Sequence, residues 1–338
     1  MKAIITGATG GLGRNLTEYL LAQDWQVLAL GRNQNIGNQL KTPFKSFDLS
    51  DKNACLKNWQ ETDIVFHCAA LSSPWGKLAD FQAANIIATQ NVLTAAKQFG
   101  CHKFIHISTP SIYFDFADHL QIKENYLPKQ FVNFYAQTKY QAEKLVAQSS
   151  LNSIIIRPRG IFGEYDTALL PRLARLANEK GFLPLIKRLG RNAGDAIVDT
   201  TYVGNVVLAL FNAATIDIPE IAFRQPESLF CQNKTPVFNI TNNEPKTMAE
   251  ILSIIKEILH WQVKFKTISY SVLDMAAKAM EKISLITQKE PLLTRYSAAV
   301  SAFDQTLNIH SAQKYLNYTP QFSLSDGLER YAKHTARN

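Results

Sequence analysis

Short apolar runs recur through the first half of the chain, and segments with helical spacing separate them. The runs that predict strands are 2–6, 26–30, 44–47, 64–67, 103–107 and 153–156. Short apolar strands that alternate with helices are typical of a parallel sheet covered by helices on both faces. The pattern therefore predicts an α/β fold with a doubly wound parallel sheet.

The alternation breaks down after Gly163. The run 237–241 predicts a late strand that returns to the sheet, and 248–259 has the apolar spacing of a helix. Another helical pattern, at 271–286, carries an apolar stripe between Lys278 and Lys282. The stripe predicts an amphipathic helix that covers a substrate pocket, and contact with a membrane surface is the alternative.

A glycine-rich turn follows the first predicted strand. It reads Thr6-Gly7-Ala8-Thr9-Gly10-Gly11-Leu12-Gly13, and apolar residues at helical spacing come next. Such a turn offers backbone N–H groups and a helix N-terminus to a pyrophosphate, and a side chain at Gly7, Gly10 or Gly13 would crowd that approach. Glycine clusters also occur in turns that bind nothing, but the order of strand, turn and helix is the one that dinucleotide binding requires.

Tyr135 and Lys139 lie four positions apart. On a helix they share one face, so a phenol and an ammonium can point at one spot. Alone, the spacing equally fits a surface tyrosine beside a solvated lysine, and the glycine turn upstream favours a catalytic pair. A secondary alcohol that exchanges a hydride must also exchange a proton at its oxygen, and we expect Lys139 to favour the phenolate of Tyr135.

These residues are part of a longer pattern that resembles the extended short-chain dehydrogenase/reductase family, within the NAD(P)-dependent epimerase/dehydratase superfamily. The other matching segments are Phe47-Asp48-Leu49, His67-Cys68-Ala69-Ala70, 85–93, Ile107-Ser108-Thr109, Ile156-Arg157-Pro158 and Tyr202-Val203-Gly204-Asn205. Within the family, 157–163 and 291–296 look like the branch of 3β-hydroxysteroid dehydrogenases, sterol-carboxylate dehydrogenases and 2-alkyl-3-oxoalkanoate reductases.

The resemblance implies a domain organisation. Residues 1–163 are expected to form a dinucleotide-binding Rossmann domain, with returns near 196–212 and 236–260. Residues 164–338 are expected to form mostly a smaller C-terminal substrate lobe. The resemblance leaves a homodimer open.

The resemblance also assigns catalytic roles. Tyr135 moves the proton, and Lys139 holds the nicotinamide ribose as well as assisting Tyr135. Thr109 aligns with the hydroxyl that orients the substrate oxygen, and Ser108 is the second candidate. Pro110 and Ser111 stand where sugar-nucleotide dehydratases carry an Asp-Glu pair, so we do not expect dehydration.

The expected cofactor contacts cluster at the carboxyl ends of the predicted strands, where ligands bind in such sheets. Besides Tyr135 and Lys139, they are Gly7, Thr9, Gly10, Gly11, Leu12 and Gly13 in the turn, Arg32, Asp48 and Leu49 on the adenosine side, Ala69 and Ala70 against the cofactor, and Pro158 and Ile161 beside the nicotinamide.

The end of the second strand bears on the choice between NAD and NADP. An acidic residue there would hold the ribose 2′-hydroxyl of NAD, but the chain has Gly31 and Arg32. A guanidinium suits a 2′-phosphate, so we expect NADP, with NAD as the alternative. Arg32 as a solvated loop residue, with Arg14 making the contact, also stays open.

Composition narrows the function further. The formal net charge is +8, but the basic residues are spread along the 338 positions, which favours a phosphorylated cofactor or an acidic substrate over nucleic acid. Cys55, Cys68, Cys101 and Cys231 lack the spacing of metal sites or redox pairs, so we expect reduced thiols. His67 and His106 close strands without a second ligand at fixed spacing, so no metal site is expected.

No apolar run reaches the roughly 20 residues that span a bilayer, and the first strand begins at Lys2. We therefore expect a cytoplasmic protein without a transmembrane segment. The favoured function is interconversion of a ketone and a secondary alcohol on a hydrophobic, steroid-like or β-keto-acyl substrate. The alternatives are a nucleotide-sugar 4-epimerase and a dinucleotide-sensing protein without catalysis, a class that typically lacks the Tyr–Lys pair.

Overall fold

The computed structural model describes residues 1–217, 235–287 and 289–337. Its strands are β1 Lys2–Thr6, β2 Gln26–Gly31, β3 Phe44–Ser46, β4 Ile64–His67, β5 Lys103–Ile107, β6 His119–Ile122, β7 Ser153–Pro158, β8 Ile161–Phe162, β9 Phe182–Lys187, β10 Ile197–Val198, β11 Thr201–Tyr202, β12 Val237–Ile240, β13 Lys246–Thr247, β14 Lys264–Ser269 and β15 Gln305–Leu307. Cys231 lies outside the described residues.

The α-helices are α1 Gly11–Ala22, α2 Gln34–Gly37, α3 Lys52–Lys57, α4 Leu78–Phe81, α5 Ala88–Gln98, α6 Phe134–Gln148, α7 Leu169–Lys180, α8 Val203–Thr215, α9 Met248–Ile258, α10 Tyr270–Thr287, α11 Arg295–Ala299, α12 His310–Tyr315 and α13 Leu324–Thr335. A π-helical turn, Gln82–Ile87, joins α4 to α5, and a 3-10 turn, Pro110–Tyr113, follows β5.

The main sheet has seven strands in the order β12-β7-β5-β4-β1-β2-β3, and every pair is parallel. The six strands predicted in the first half are all present, and the run predicted at 237–241 forms β12 at the sheet edge. The predicted doubly wound parallel sheet is confirmed. Strand order reverses between β1 and β4, and in such sheets this reversal opens a crevice at the carboxyl ends.

Helices cover both faces of the sheet because its strands are apolar on both sides. On one face, Leu16 of α1 and Leu210 of α8 pack into a cluster with Ile5. On the other face, Val92 of α5 and Val146 of α6 pack into a cluster with the other side of β1. The long helix α6 is thereby laid across the sheet, with its first turn near the carboxyl ends of β4 and β5.

The later chain adds smaller sheets, which are β13-β10-β15-β6, β11-β8 and β14-β9. Leu183 of β9, Ala177 of α7 and Leu252 of α9 form a separate buried cluster in this part. The assignment of residues 164–338 to substrate binding stays a prediction.

The predicted amphipathic helix is α10. Much of its apolar surface is exposed, since Met275 is 66% and Ile286 84% accessible, whereas Ala277 is fully buried. Among the described residues, no helix combines the length and the apolar character needed to cross a membrane. That α10 covers a substrate pocket stays a prediction, with contact to a membrane surface as its alternative.

Candidate active site

The glycine-rich turn is packed against the neighbouring strand end. Gly7 has a φ of +68°, which favours glycine, and a Cβ there would lie 2.7 Å from the backbone nitrogen of Ala69. A Cβ on Gly13 would lie 2.3 Å from the carbonyl oxygen of Gly7. Both glycines are therefore required for the turn, α1 and the end of β4 to meet.

The turn also leaves room for a pyrophosphate. Gly10 is the N-cap of α1 and provides no side-chain cap, and no acidic residue lies in the first turn of the helix. A Cβ on Gly10 would have only the Gly7 oxygen within 4 Å, at 3.4 Å, so the outer side of the turn is open among the described residues. An uncapped helix N-terminus with an open approach fits the phosphates of a dinucleotide.

The residues predicted on the adenosine side gather at the carboxyl ends of β2 and β3. A Cβ on Gly31 would lie 3.0 Å from the Thr9 hydroxyl, so this glycine lets the turn lie against β2. Arg32 is exposed, whereas Leu49 is buried. Hydrogen bonds from Ser50 are the main cause of the lowered pKa of Asp48, and the charge of Arg32 adds to it.

Arg14 is engaged elsewhere. Its guanidinium carbon lies 3.6 Å from the ring centroid of Tyr165, a close cation–π contact. Of the two arginines considered for the 2′-phosphate, Arg32 is thus the exposed one at the end of β2.

The predicted residues on the nicotinamide side occupy the same edge of the sheet. Ala69 is half-buried and its N–H donates to the Thr6 hydroxyl at 3.3 Å, while Ala70 is exposed. Pro158 ends β7, and Ile161 begins β8 just beyond it. The structure brings these residues to one edge, and their contact with a cofactor stays a prediction.

The catalytic pair lies at the start of α6. The side chain of Asn133 caps this helix by accepting from the Ala136 N–H at 2.9 Å, so Tyr135 falls in the first turn and Lys139 one turn later. The Nζ of Lys139 donates to the carbonyl oxygen of Ile107 at 2.6 Å. Burial lowers the pKa of Lys139 to about 8, against the opposing charge of Glu143.

The surroundings of Tyr135 differ from the expectation. Burial raises the pKa of its phenol, and hydrogen bonds with the side chains of Ser72 and Thr109 lower it. The sequence assigned that lowering to Lys139, but Nζ faces Ile107 and lies 3.2 Å from Nε2 of His106. The i,i+4 spacing places Tyr135 and Lys139 on one face of the helix, but it does not reveal that the Ile107 carbonyl oxygen, and not the phenol, accepts the hydrogen bond of Lys139.

A chain of hydroxyls continues from Thr109. Its Oγ1 donates to the hydroxyl of Ser111 at 3.0 Å, and Ser111 shares a hydrogen bond of 2.7 Å with the phenol of Tyr296. Ser108 is also buried, and its hydroxyl has no hydrogen-bond partner within the described part of the chain. Tyr296 appeared in the sequence only as a branch-level match, and no local signal marked it as part of the site.

Asn85 joins the two segments that hold Tyr135. Its Oδ1 accepts from the Leu71 N–H at 2.7 Å, and its Nδ2 donates to the Thr138 hydroxyl at 3.0 Å. The first contact holds the loop that carries Ser72, and the second holds α6. Asn85 lies in the π-helical turn, so this irregular turn positions the site.

A buried ion pair fixes α6 to β7. Nε of Arg157 donates to Glu143 at 2.8 Å, and neither side chain is exposed. Arg157 also donates to the phenol of Tyr113 and to the carbonyl oxygen of Glu124. Glu143 lies one turn beyond Lys139, so the pair fixes the height and rotation of the catalytic helix.

The two strand-end histidines are part of the core. His67 lies 2.8 Å from the Thr6 hydroxyl and 2.9 Å from that of Thr89. Burial, reinforced by the charge of Lys139, lowers the pKa of both His67 and His106, so both are neutral at physiological pH. Cys55, Cys68 and Cys101 are free thiols.

Several apolar side chains beyond β7 are buried in packing clusters. Phe162 and Tyr202 stack within one buried cluster, with ring centroids 5.9 Å apart. Leu183 is fully buried in another cluster. Trp75, in the loop after β4, is half-buried.

The parallel sheet, the open glycine turn and the Tyr–Lys helix define an enzyme that uses a nicotinamide dinucleotide. The chain belongs to the NAD dependent epimerase/dehydratase family, whose pattern matches residues 3–220. The predicted family, the Rossmann fold and the prediction of an enzyme are confirmed.

Two relatives and one solved structure are similar to the chain over nearly its whole length. It is 32% identical to a 2-alkyl-3-oxoalkanoate reductase of Stenotrophomonas maltophilia, over 99% of this chain and 100% of the relative. It is 28% identical to the human sterol-4-alpha-carboxylate 3-dehydrogenase, decarboxylating, over 97% of this chain and 87% of the relative.

The solved structure is UDP-glucuronic acid 4-epimerase from Bacillus cereus in complex with NAD. It covers 100% of this chain and 99% of its own, with a TM-score of 0.71 and 22% identity. At that identity the likeness concerns the fold alone.

Proposed function

We propose that this chain interconverts a ketone and a secondary alcohol on a hydrophobic, steroid-like or β-keto-acyl substrate. The observation that carries the proposal is the placement of Tyr135 in the first turn of α6, one turn before Lys139, whose Nζ donates at 2.6 Å to the carbonyl oxygen of Ile107 at the carboxyl end of β5. The names of the two relatives, an oxoalkanoate reductase and a sterol dehydrogenase, support both substrate classes.

Tyr135 donates a proton to the carbonyl oxygen in the direction of reduction. Because burial holds its pKa above the ordinary value of 10.0, the phenol is protonated at neutral pH and ready to donate. Thr109 holds the same oxygen. The hydroxyl of Ser108, which has no hydrogen-bond partner among the described residues, is the second candidate for that contact. The cofactor supplies the hydride when it is bound.

We further propose that the cofactor is NADPH. Gly31 stands where an acid would hold the 2′-hydroxyl of NADH, and the exposed Arg32 beside it can pair with a 2′-phosphate. Lys139 is assigned to the nicotinamide ribose, which requires its Nζ to exchange or share the contact with Ile107 when the cofactor binds.

A substrate panel tests this function. With NADPH, we expect oxidation of the cofactor in the presence of long-chain β-keto acids or 3-ketosteroids and not with UDP- or TDP-sugars. Turnover of the sugars without turnover of the ketones would instead favour a nucleotide-sugar 4-epimerase. Binding of NADPH without turnover of any compound would favour the dinucleotide-sensing alternative.

The variant Tyr135→Phe tests the assigned proton donor. It keeps the ring and removes the hydroxyl, so single-turnover rates should fall by a factor on the order of 10² to 10⁴ while NADPH affinity stays unchanged. Tyr140→Phe, on the same helix, is the matched control and should keep its rate. A Tyr135→Phe protein with a near-normal rate would mean that the proton comes from another group.

A further inference from the structure

Arg159 is a buried arginine at the carboxyl edge of the main sheet, and the proposed proton transfer does not use it. It follows Pro158, the last residue of β7, and is 9% exposed. Its Nη1 donates to Oε1 of Gln305, but its buried Nε has no hydrogen-bond partner among the residues described. A buried donor without an acceptor is unfavourable, so an acceptor bound at Nε would stabilise this arrangement.

Arg159 directly follows β7, and the neighbouring strand β5 ends directly before Ser108 and Thr109, so both strand ends lie at the same edge of the sheet. Burial is the main influence on the pKa of both Arg159 and Tyr296, and each of these two side chains also shifts the pKa of the other. Tyr296 in turn is hydrogen-bonded at 2.7 Å to Ser111. Tyr296 thus belongs to the hydroxyl chain of Ser111 and Thr109, and the charge of Arg159 acts on it.

A second buried donor, in the side chain that contacts Arg159, also lacks an acceptor among the described residues. Gln305 uses its Oε1 to accept from Arg159, and its Nε2 has no partner in the described part of the chain. Asp199 is the buried carboxylate whose charge acts on Arg159, and its Oδ2 already accepts from the Leu307 N–H at 2.7 Å. Two buried donors, Nε of Arg159 and Nε2 of Gln305, are therefore without an acceptor among the described residues.

We propose that Arg159 binds a carboxylate of the substrate and thereby selects oxo acids and hydroxy acids over ketones and alcohols without an acidic group. A carboxylate brings two acceptor oxygens and a negative charge, and it forms strong charge-assisted hydrogen bonds with a guanidinium. The inference rests on the proposed ketone–alcohol function, but it concerns recognition alone. The carboxylate takes no part in the transfer of the hydride or the proton.

The test compares one acid with its neutral ester. For 3-oxodecanoate, Arg159→Gln should raise KM by roughly 10- to 100-fold, since a charge-assisted contact is lost. For methyl 3-oxodecanoate, KM should not change, and NADPH affinity should not change either. Arg191→Gln is the matched control, because Arg191 pairs with Asp304, beside Gln305, and should keep the preference for the acid.

An equal loss with the acid and the ester would assign Arg159 a structural role and overturn the proposal. If Arg159→Gln does not fold, the unmutated protein decides the question. Saturated with NADPH, it should bind the unreactive probe decanoate at least 10-fold more tightly than decanol by calorimetry, a preference that one charge-assisted contact supplies. Equal affinities would refute the carboxylate site.

These binding measurements separate the two proposals. If neither 3-oxodecanoate nor its ester is reduced, the proposed function fails for these substrates. Loss of decanoate binding in a folded Arg159→Gln protein would still establish the acid site in that case.

Discussion

The variant Lys139→Met tests what the buried ammonium costs the fold. Burial lowers the pKa of Lys139 from 10.5 to about 8. A difference of this size corresponds to about 3 kcal/mol that opposes the charged form in the folded protein. Because the folded pKa is the lower one, the unfolded chain binds more protons between about pH 8 and 10.5, and the free energy of unfolding rises across that window.

Methionine removes the charge and two contacts. Nζ donates to the Ile107 oxygen at 2.6 Å and lies 3.2 Å from Nε2 of His106, and each hydrogen bond contributes about 1 kcal/mol net. The two hydrogen bonds together offset about 2 of the roughly 3 kcal/mol that oppose the buried charge. At pH 7 the free energy of unfolding of the variant should therefore exceed that of the wild type by about 1 kcal/mol. The same variant should lose reductase activity, because the residue is assigned to the nicotinamide ribose.

Urea unfolding without cofactor at pH 7 and pH 10 measures both effects. We expect the variant to be the more stable protein at pH 7 and the less stable one at pH 10, where the folded wild-type lysine is neutral. Lys144→Met, an exposed position on the same helix, is the control and should show no such reversal. A Lys139→Met protein that is less stable than wild type at both pH values would refute the reasoning.

The remaining predictions concern the cofactor. Arg32→Ala should weaken NADPH binding by roughly 10- to 100-fold and leave NADH binding unchanged, as measured by calorimetry. If the unmutated protein binds NADH more tightly than NADPH, the assignment of Arg32 to the 2′-phosphate is contradicted. Gly13→Ala should lower both the melting temperature and the affinity for NADPH, since its Cβ would lie 2.3 Å from the Gly7 oxygen. Gly10→Ala should lower the affinity for NADPH without lowering the melting temperature, since its Cβ would lie 3.4 Å from the Gly7 oxygen. Equal melting temperatures for the Gly10→Ala and Gly13→Ala proteins would contradict the tighter packing at Gly13.

The sequence predicted the main sheet well because burial and strand pattern coincide there. Ile154, Ile155 and Ile156 are each at most 1% exposed, and strands buried on both faces appear as continuous apolar runs. The smaller sheets gave no comparable signal. Most of β14 is exposed, and β10, β11 and β13 are only two residues long, so their pairing depends on tertiary contacts.

The site was predictable where a local spacing carries the chemistry. The glycine turn and the Tyr–Lys pair are of this kind. The partners of those residues are not, because Ser72, Asn85 and Tyr296 reach the site from distant parts of the chain. The Ile107 carbonyl that receives Lys139 is a backbone atom, which no sequence pattern distinguishes from its neighbours.

The ion pair between Arg157 and Glu143 has a consequence for engineering the substrate range. It holds the catalytic helix through groups assigned to neither cofactor nor substrate, and removing one partner of such a buried pair is destabilising by about 3–5 kcal/mol. Variation in the predicted substrate lobe, for example in α7 or α10, leaves this pair intact. Libraries aimed at new ketones can therefore randomise that part at low risk to the catalytic geometry, whereas libraries that include position 143 or 157 will consist largely of destabilised proteins.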